Sequence, residues 1–130
     1  MEFLHPPGWP RARGYSNGVA ASGRTVCVSG MVGWDEHGVF HSDDFAGQVR
    51  QALANVVAVL AEANARPEHI VRMTWYVVDK REYLDAAREV GAAYRALIGS
   101  HYPAMSAVQV GALIEDRARV EIEVTAIVPE

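Results

Sequence analysis

The sequence has one cysteine, Cys27, and so cannot form a disulfide within the chain. It opens without the basic region, apolar run and small-residue cleavage site of a secretory leader, which makes the cytoplasm the expected compartment. No apolar run approaches the roughly 20 residues that a membrane-spanning helix requires, so no membrane partner is expected. Basic patches are also missing. The net charge is −4 and the arginines are scattered, whereas nucleic-acid phosphates are held mainly by clustered Lys and Arg. A nucleic-acid partner is therefore not expected. Repeats, low-complexity tracts, interdomain linkers and cofactor-binding motifs are absent, and no cofactor is expected.

What is present fits one domain over residues 1–130, a length that buries roughly two-thirds of the unfolded surface on folding. Residues 1–13, MEFLHPPGWPRAR, are Pro-rich and aperiodic, and read as an extended arm rather than an element. Trp9 on that arm is either a packing anchor or a cover for a neighbouring cleft. Tyr15–Ala21 and Arg24–Met31 read as two strands of a hairpin that turns at Ala21-Ser22-Gly23. Cys27 falls within the second of them, with no His or Lys beside it, and reads as an inert core cysteine.

Gly30–His41, GMVGWDEHGVFH, reads as a loop. Its three glycines permit close backbone approach but lack the Gly-Lys-Ser of a phosphate loop. Asp35, His37 and His41 have metal-ligand chemistry, but their spacing fits no zinc template and they read as surface polar groups. Ser42–Ala65 is a helix with Ser42 as N-cap and an apolar stripe at Phe45, Val49, Leu53, Val56 and Leu60. Ile70–Val78 is a strand with two heavy faces, as expected of a central position. Asp79–Ile98 reads as one helix, opened by the box Asp79-Lys80-Arg81-Glu82 and closed by Gly99.

The region 102–128, YPAMSAVQVGALIEDRARVEIEVTAIV, reads as two strands joined by a charged loop. In the second strand Val120, Ile122, Val124 and Ala126 alternate with Glu121, Glu123 and Thr125, so two carboxylates share one face. Glutamate is depleted in strands and seldom buried unpaired. Each needs solvent, a cation such as Arg117 or Arg119, or a chemical role. The element order gives an α+β domain with two helices on one face of a mixed sheet, and leaves the other face to be covered by oligomerisation.

The run from Pro103 to Thr125, with Pro-Ala ahead of one strand and Val-Glu-Ile-Glu closing the next, resembles the signature region of the reactive intermediate deaminase family, also called YjgF-type or endoribonuclease L-PSP-like. Tyr15-Ser16-Asn17-Gly18-Val19 and Val28-Ser29-Gly30 extend the match in the same order. The resemblance implies a chorismate-mutase-like (bacillus-type) fold and a homotrimer with clefts between subunits. It further implies that Glu121 positions water, that the backbone at Gly30 and Met31 lines the cleft, and that Tyr15 closes it. Where the deaminating branch has an arginine after Pro-Ala to bind the substrate carboxylate, this sequence has Met105. A thioether supplies no charged fork and suits uncharged or aromatic groups. Ser106 and Ala107 leave room beside it, and Trp34 and Trp75 are candidates to line the pocket. Two functions follow: hydrolysis of an enamine or imine other than a simple 2-imino acid, or non-catalytic binding of small molecules in the inter-subunit cleft. A ribonuclease is disfavoured by the charge balance.

Overall fold

The computed structural model describes residues 1–130. Strand β6 (Val120–Val128) lies inside a four-stranded sheet, between β3 (Arg24–Val32) and β4 (Ile70–Val77), and β5 (Ala104–Gln109) forms the far edge. The order is β3-β6-β4-β5; β6 runs antiparallel to both neighbours, and β4 and β5 run parallel. The alternation along β6 governs what each face does. Val120, Ile122, Val124 and Ala126 are buried against the helices, while Glu121, Glu123 and Thr125 stay half-buried on the face that no helix covers.

Helix α1 (Phe45–Glu62) buries Val49, Ala52, Leu53, Val56 and Leu60 against β3 and β6, as its helical spacing requires. Its N-cap is Asp44, whose carboxylate accepts from the Gly47 N–H at 2.9 Å. Ser42, the expected cap, instead accepts from the Asp44 N–H at 3.0 Å and shapes the turn before the helix. Gln48 is fully buried beside the apolar stripe. It donates to the carbonyls of Ser42 and Arg117, at 3.0 and 2.9 Å, and accepts from the Arg119 N–H at 2.7 Å. One side chain thus ties α1 to the backbone that launches β6.

The expected second helix is two, α2 (Lys80–Asp85) and α3 (Ala87–Leu97), broken at Ala86. No Gly or Pro marks the break. The two pieces dock separately: Tyr83 meets Trp75 and Phe45 edge-on at 6.1 Å each, whereas Ala93 and Tyr94 are buried on α3. Asp79 caps α2 through the Arg81 N–H at 2.9 Å, but Glu82 does not close the box because Arg119 holds its carboxylate.

The expected hairpin between residues 15 and 31 does not form. β2 (Gly18–Ala20) pairs with β1 (Glu2–Leu4) in a separate two-stranded sheet, so the arm does contain a strand, and β3 pairs with β6 instead. A nine-residue strand offers β3 a longer ladder than three-residue β2 could. Gly23, with φ of 145°, makes the turn where its Cα packs too closely on the Val128 carbonyl for any side chain. β3 also runs through Val32, into the segment read as a loop. Cys27 lies exposed on the uncovered face rather than in the core, because its alternation partner Val28 takes the inward position.

Candidate functional site

Between Val28 and Met31 the β3–β6 register shifts, leaving Ser29 and Gly30 opposite the single residue Glu123. Such a bulge redirects the strand. Here it brings the Gly30 backbone under the side chain of Glu121. A Cβ on Gly30 would lie 2.6 Å from Glu121 Cδ and 2.8 Å from Cγ, closer than non-bonded carbons tolerate, so the absent side chain makes room for the carboxylate. Glu121 is half-buried and makes no hydrogen bond or ion pair within the chain.

Its neighbour on the same face differs. Glu123 Oε1 accepts from the Tyr76 hydroxyl at 2.6 Å, and this hydrogen bond is the main reason the phenol titrates above its ordinary range. Neither arginine considered from the sequence serves these carboxylates. Arg117 pairs with Asp43 at 2.8 Å, and Arg119 forms a two-pronged pair with Glu82 at 2.8 and 3.0 Å, which raises its guanidinium pKa further. Arg117 and Arg119 are committed to the ends of helices α1 and α2, leaving Glu121 free.

The other residues singled out from the sequence divide between the two edges of the sheet. Met31 and Trp34 belong to the β3 side and flank a shallow groove with Asp35, Asn55 and Val59. Trp34 is fixed by Phe40, whose ring centroid is 5.7 Å away, and by Asn55, which donates to its carbonyl at 2.7 Å. Within one chain Trp34 therefore stands apart from the Met105 pocket. Asp35 organises the following turn, accepting from His37 N, Val39 N and His41 Nε2; the His41 contact, at 2.6 Å, does most to lower its carboxyl to about 2.

Met105 lies on β5 at the opposite edge. It packs on the helix side of the sheet and lines a cavity of about 360 Å³ with Trp75, Tyr83 and Tyr102. Ala107 pairs in register with Trp75 and is exposed, and Ser106 turns to the uncovered face, where Arg72 donates to it at 3.4 Å. The segment before β2 runs alongside: Ser16 N donates to the Pro103 carbonyl at 3.0 Å, and Gly14 lines the same cavity. Tyr15, 44% exposed, stands between them. Trp75 both fills the core, at 3% exposure, and walls the cavity.

Glu121 and Gly30 thus occupy one face near the β3 edge, while Met105 occupies the other face at the β5 edge. Three strand spacings of about 4.8 Å, or about 14 Å, separate Gly30 on β3 from β5, and two, or about 10 Å, separate Glu121 on β6 from it. Sequence reasoning assigned these residues to one cleft between subunits, and within a single chain they stand apart. It also missed the Gln48 tether and the Tyr76–Glu123 bond. A glutamine next to the apolar positions of α1 was the visible signal for the first; cross-strand register, invisible in sequence, was needed for the second.

Comparison with known proteins agrees with this architecture. The sequence model of the endoribonuclease L-PSP family matches residues 9–128. The chain is similar to a 2-iminobutanoate/2-iminopropanoate deaminase of Homo sapiens, 32% identical over 114 residues that cover 87% of this chain and 79% of the relative. It is also similar to the Salmonella typhimurium protein of the same name, 34% identical over 81% of this chain and 80% of the relative. Among solved structures, YyfB of Yersinia pestis, a protein of the conserved Rid family, superposes with a TM-score of 0.84 at 32% identity, covering 98% of each chain. Rv2704 of Mycobacterium tuberculosis gives a TM-score of 0.66 at 36% identity over 88% of this chain and 87% of that one.

Proposed function

This chain belongs to the endoribonuclease L-PSP (Rid, YjgF-type) family, and from that premise we propose that it hydrolyses a reactive enamine or imine, with Glu121 as the residue that positions and deprotonates water. The carrying observation is the Glu121 carboxylate, unpaired and half-buried over the bare backbone of Gly30. A carboxylate with no partner in the chain is available for general-base activation of water.

In the proposed reaction the water oxygen attacks the C=N carbon as Glu121 takes a water proton. The π pair moves to nitrogen, which takes that proton back from Glu121. In the resulting carbinolamine the hydroxyl proton passes through Glu121 to the amine nitrogen, the C–N bond breaks with its electron pair on nitrogen, and ammonia departs as the carbonyl forms. The backbone at Gly30 and Met31 lines the water side of the site. Tyr15, Met105 and Ala107 belong to the substrate side.

Because those groups lie on opposite edges of one sheet, the reading places the working site between two copies of the chain, the β5 edge of one facing the β3 side of the next, in a homotrimer. The uncovered sheet face, with Cys27, Thr74 and Thr125 accessible, supports that assembly. Met105, standing where the deaminating branch carries arginine, argues against the small 2-imino acids named for the relatives. Ammonia release from a panel of freshly generated aliphatic and aromatic imines tests the reading. Glu121→Gln should lose that turnover while sedimenting as wild type, as a trimer. Undiminished turnover in Glu121→Gln removes the residue from the mechanism, and a monomeric wild type removes the shared cleft.

A further inference from the structure

The face of the sheet that no helix covers carries two opposite charges that do not meet. Arg72 on β4 is in register with Thr125 on β6, which puts Glu123, two residues earlier on β6, on the diagonal at about 7–8 Å. Opposite charges so placed on one face attract and ordinarily pair. Here neither makes an ion pair. Glu123 is turned to Tyr76, whose hydroxyl donates to its Oε1 at 2.6 Å, and Arg72 is turned to Ser106, to whose Oγ its Nη2 donates at 3.4 Å. The charges are nonetheless near each other: Glu123 does most to raise the Tyr76 phenol, and Arg72 pulls it the other way.

The space beside them is a pocket of about 310 Å³, lined by Arg72 and Glu123 together with Cys27, Thr74 and Thr125. That volume is at the small end of ligand pockets. Thr74 is in register with Glu123 and two residues from Arg72 on the same face, so it stands between the charges. Three groups there have bonding capacity to spare. Glu123 Oε2 and the Thr74 hydroxyl have no partner in the chain, and the Arg72 guanidinium, with five donors, uses one in a long contact. Trp75 Nε1 is the one buried side-chain polar atom of the chain that is unbonded, so these groups are open to solvent and to a ligand. An anion alone would bind within the field of Glu123, and a cation alone within that of Arg72; each half is opposed by the other residue. A molecule with both charges satisfies both. Enclosing this face in an assembly strengthens the preference, because a charge withdrawn from water without a partner is costly.

We propose that this pocket binds a small zwitterion of the α-amino-acid type, its carboxylate on the Arg72 guanidinium, its ammonium on Glu123 Oε2 and the Thr74 hydroxyl between them. Glu121 takes no part in it, and the site does not rest on the hydrolase reading.

The test uses the intact protein and three probes of similar size: L-alanine with both charges, propionate with the carboxylate alone, and ethylamine with the ammonium alone. Binding is followed near neutral pH through the backbone amide signals of Cys27, Thr74 and Thr125 in a ¹⁵N-correlated spectrum. Alanine should shift these signals saturably and bind about tenfold or more tighter than either half, the value of one charge-assisted hydrogen bond. Arg72→Gln should remove the advantage of alanine over ethylamine. Glu123→Gln, which keeps an acceptor for Tyr76, should remove its advantage over propionate. Should either variant fail to fold, the ranking of the three probes on wild type decides. Equal affinities for the three probes, saturation without movement of these amides, or an unaltered preference for alanine in either folded variant each overturn the proposal. No binding of alanine overturns it as well, and a smaller sedimenting species in Arg72→Gln would then assign the two charges to contacts between copies of the chain.

Discussion

Replacing Gly30 with alanine probes the candidate catalytic group without touching it. The added Cβ would fall 2.6 Å from Glu121 Cδ and 2.8 Å from Cγ, so the carboxylate must rotate away. The backbone has little reason to object: Gly30 is not among the glycines with positive φ, and the atoms it meets belong to the end of a flexible side chain. Stability should therefore change by less than about 1 kcal/mol. Turnover should not be spared. A positioned base contributes about 10²–10⁴-fold, and a displacement of about 1 Å in a reacting constellation loses about 10²-fold. We expect Gly30→Ala to lower kcat on the best imine of the panel by about 10²-fold, or about 2.7 kcal/mol in the barrier, with KM little changed. The double mutant makes the inference specific. In a Glu121→Gln background the alanine should do almost nothing further, because both changes act on one group. Wild-type turnover in Gly30→Ala, or the same hundredfold loss on top of Glu121→Gln, would show that Gly30 does not work through Glu121.

Three further outcomes are expected. Met105→Arg should raise kcat/KM for 2-iminobutanoate by about 10- to 150-fold, the equivalent of a charge-assisted bond of about 1.5–3 kcal/mol; an unchanged value would mean that position 105 does not meet the carboxylate. Gln48→Leu orphans two carbonyls and the Arg119 N–H in a fully buried position, and should lower stability by about 3–5 kcal/mol at roughly 1–3 kcal/mol per group with partial relaxation; a loss under about 1 kcal/mol in urea unfolding would contradict the tether. Asp35, whose carboxyl is lowered to about 2 chiefly by its hydrogen bond with His41, stabilises the fold above the unfolded carboxyl pKa of about 4 and loses that contribution as pH falls through about 2. Thermal melts should show Asp35→Asn less stable than wild type near pH 5 and converging with it toward pH 2. A gap that persists across that range would assign the stability to something other than the ionised carboxylate.

Legibility in sequence followed the range of the interactions involved. The stripe of α1 and the alternation of β6 were readable because each reflects one buried face, repeated every 3.6 or 2 residues. β4 read as a central strand because both its faces carry bulky groups, and it lies inside the sheet. The hairpin expected at residues 15–31 failed because strand pairing is a competition, and β6, about a hundred residues further on, won β3 from its sequence neighbour. Residues 79–98 read as one helix because a break made by separate docking of Tyr83 and Tyr94 leaves no Gly or Pro behind. Cys27 reads as inward because the alternation along β3 does not show which of its faces the helices cover.

The residue types of the candidate site were in the sequence: a strand glutamate without an assigned cation, a glycine to pass beneath it, and a methionine at the position of an expected arginine. Local patterning also determined that an α+β domain with a two-faced sheet would result, since periodicity is set by the geometry of the chain itself. Only the tertiary structure decided that Arg117 and Arg119 are engaged by Asp43 and Glu82, that Glu121 on the interior strand β6 and Met105 on the edge strand β5 face opposite sides of the sheet, and that the Trp75 N–H is buried with no acceptor. Those outcomes depend on which distant segments meet. A side chain's free or committed state is fixed by the partner that folding brings to it, and that partner is seldom its neighbour in sequence.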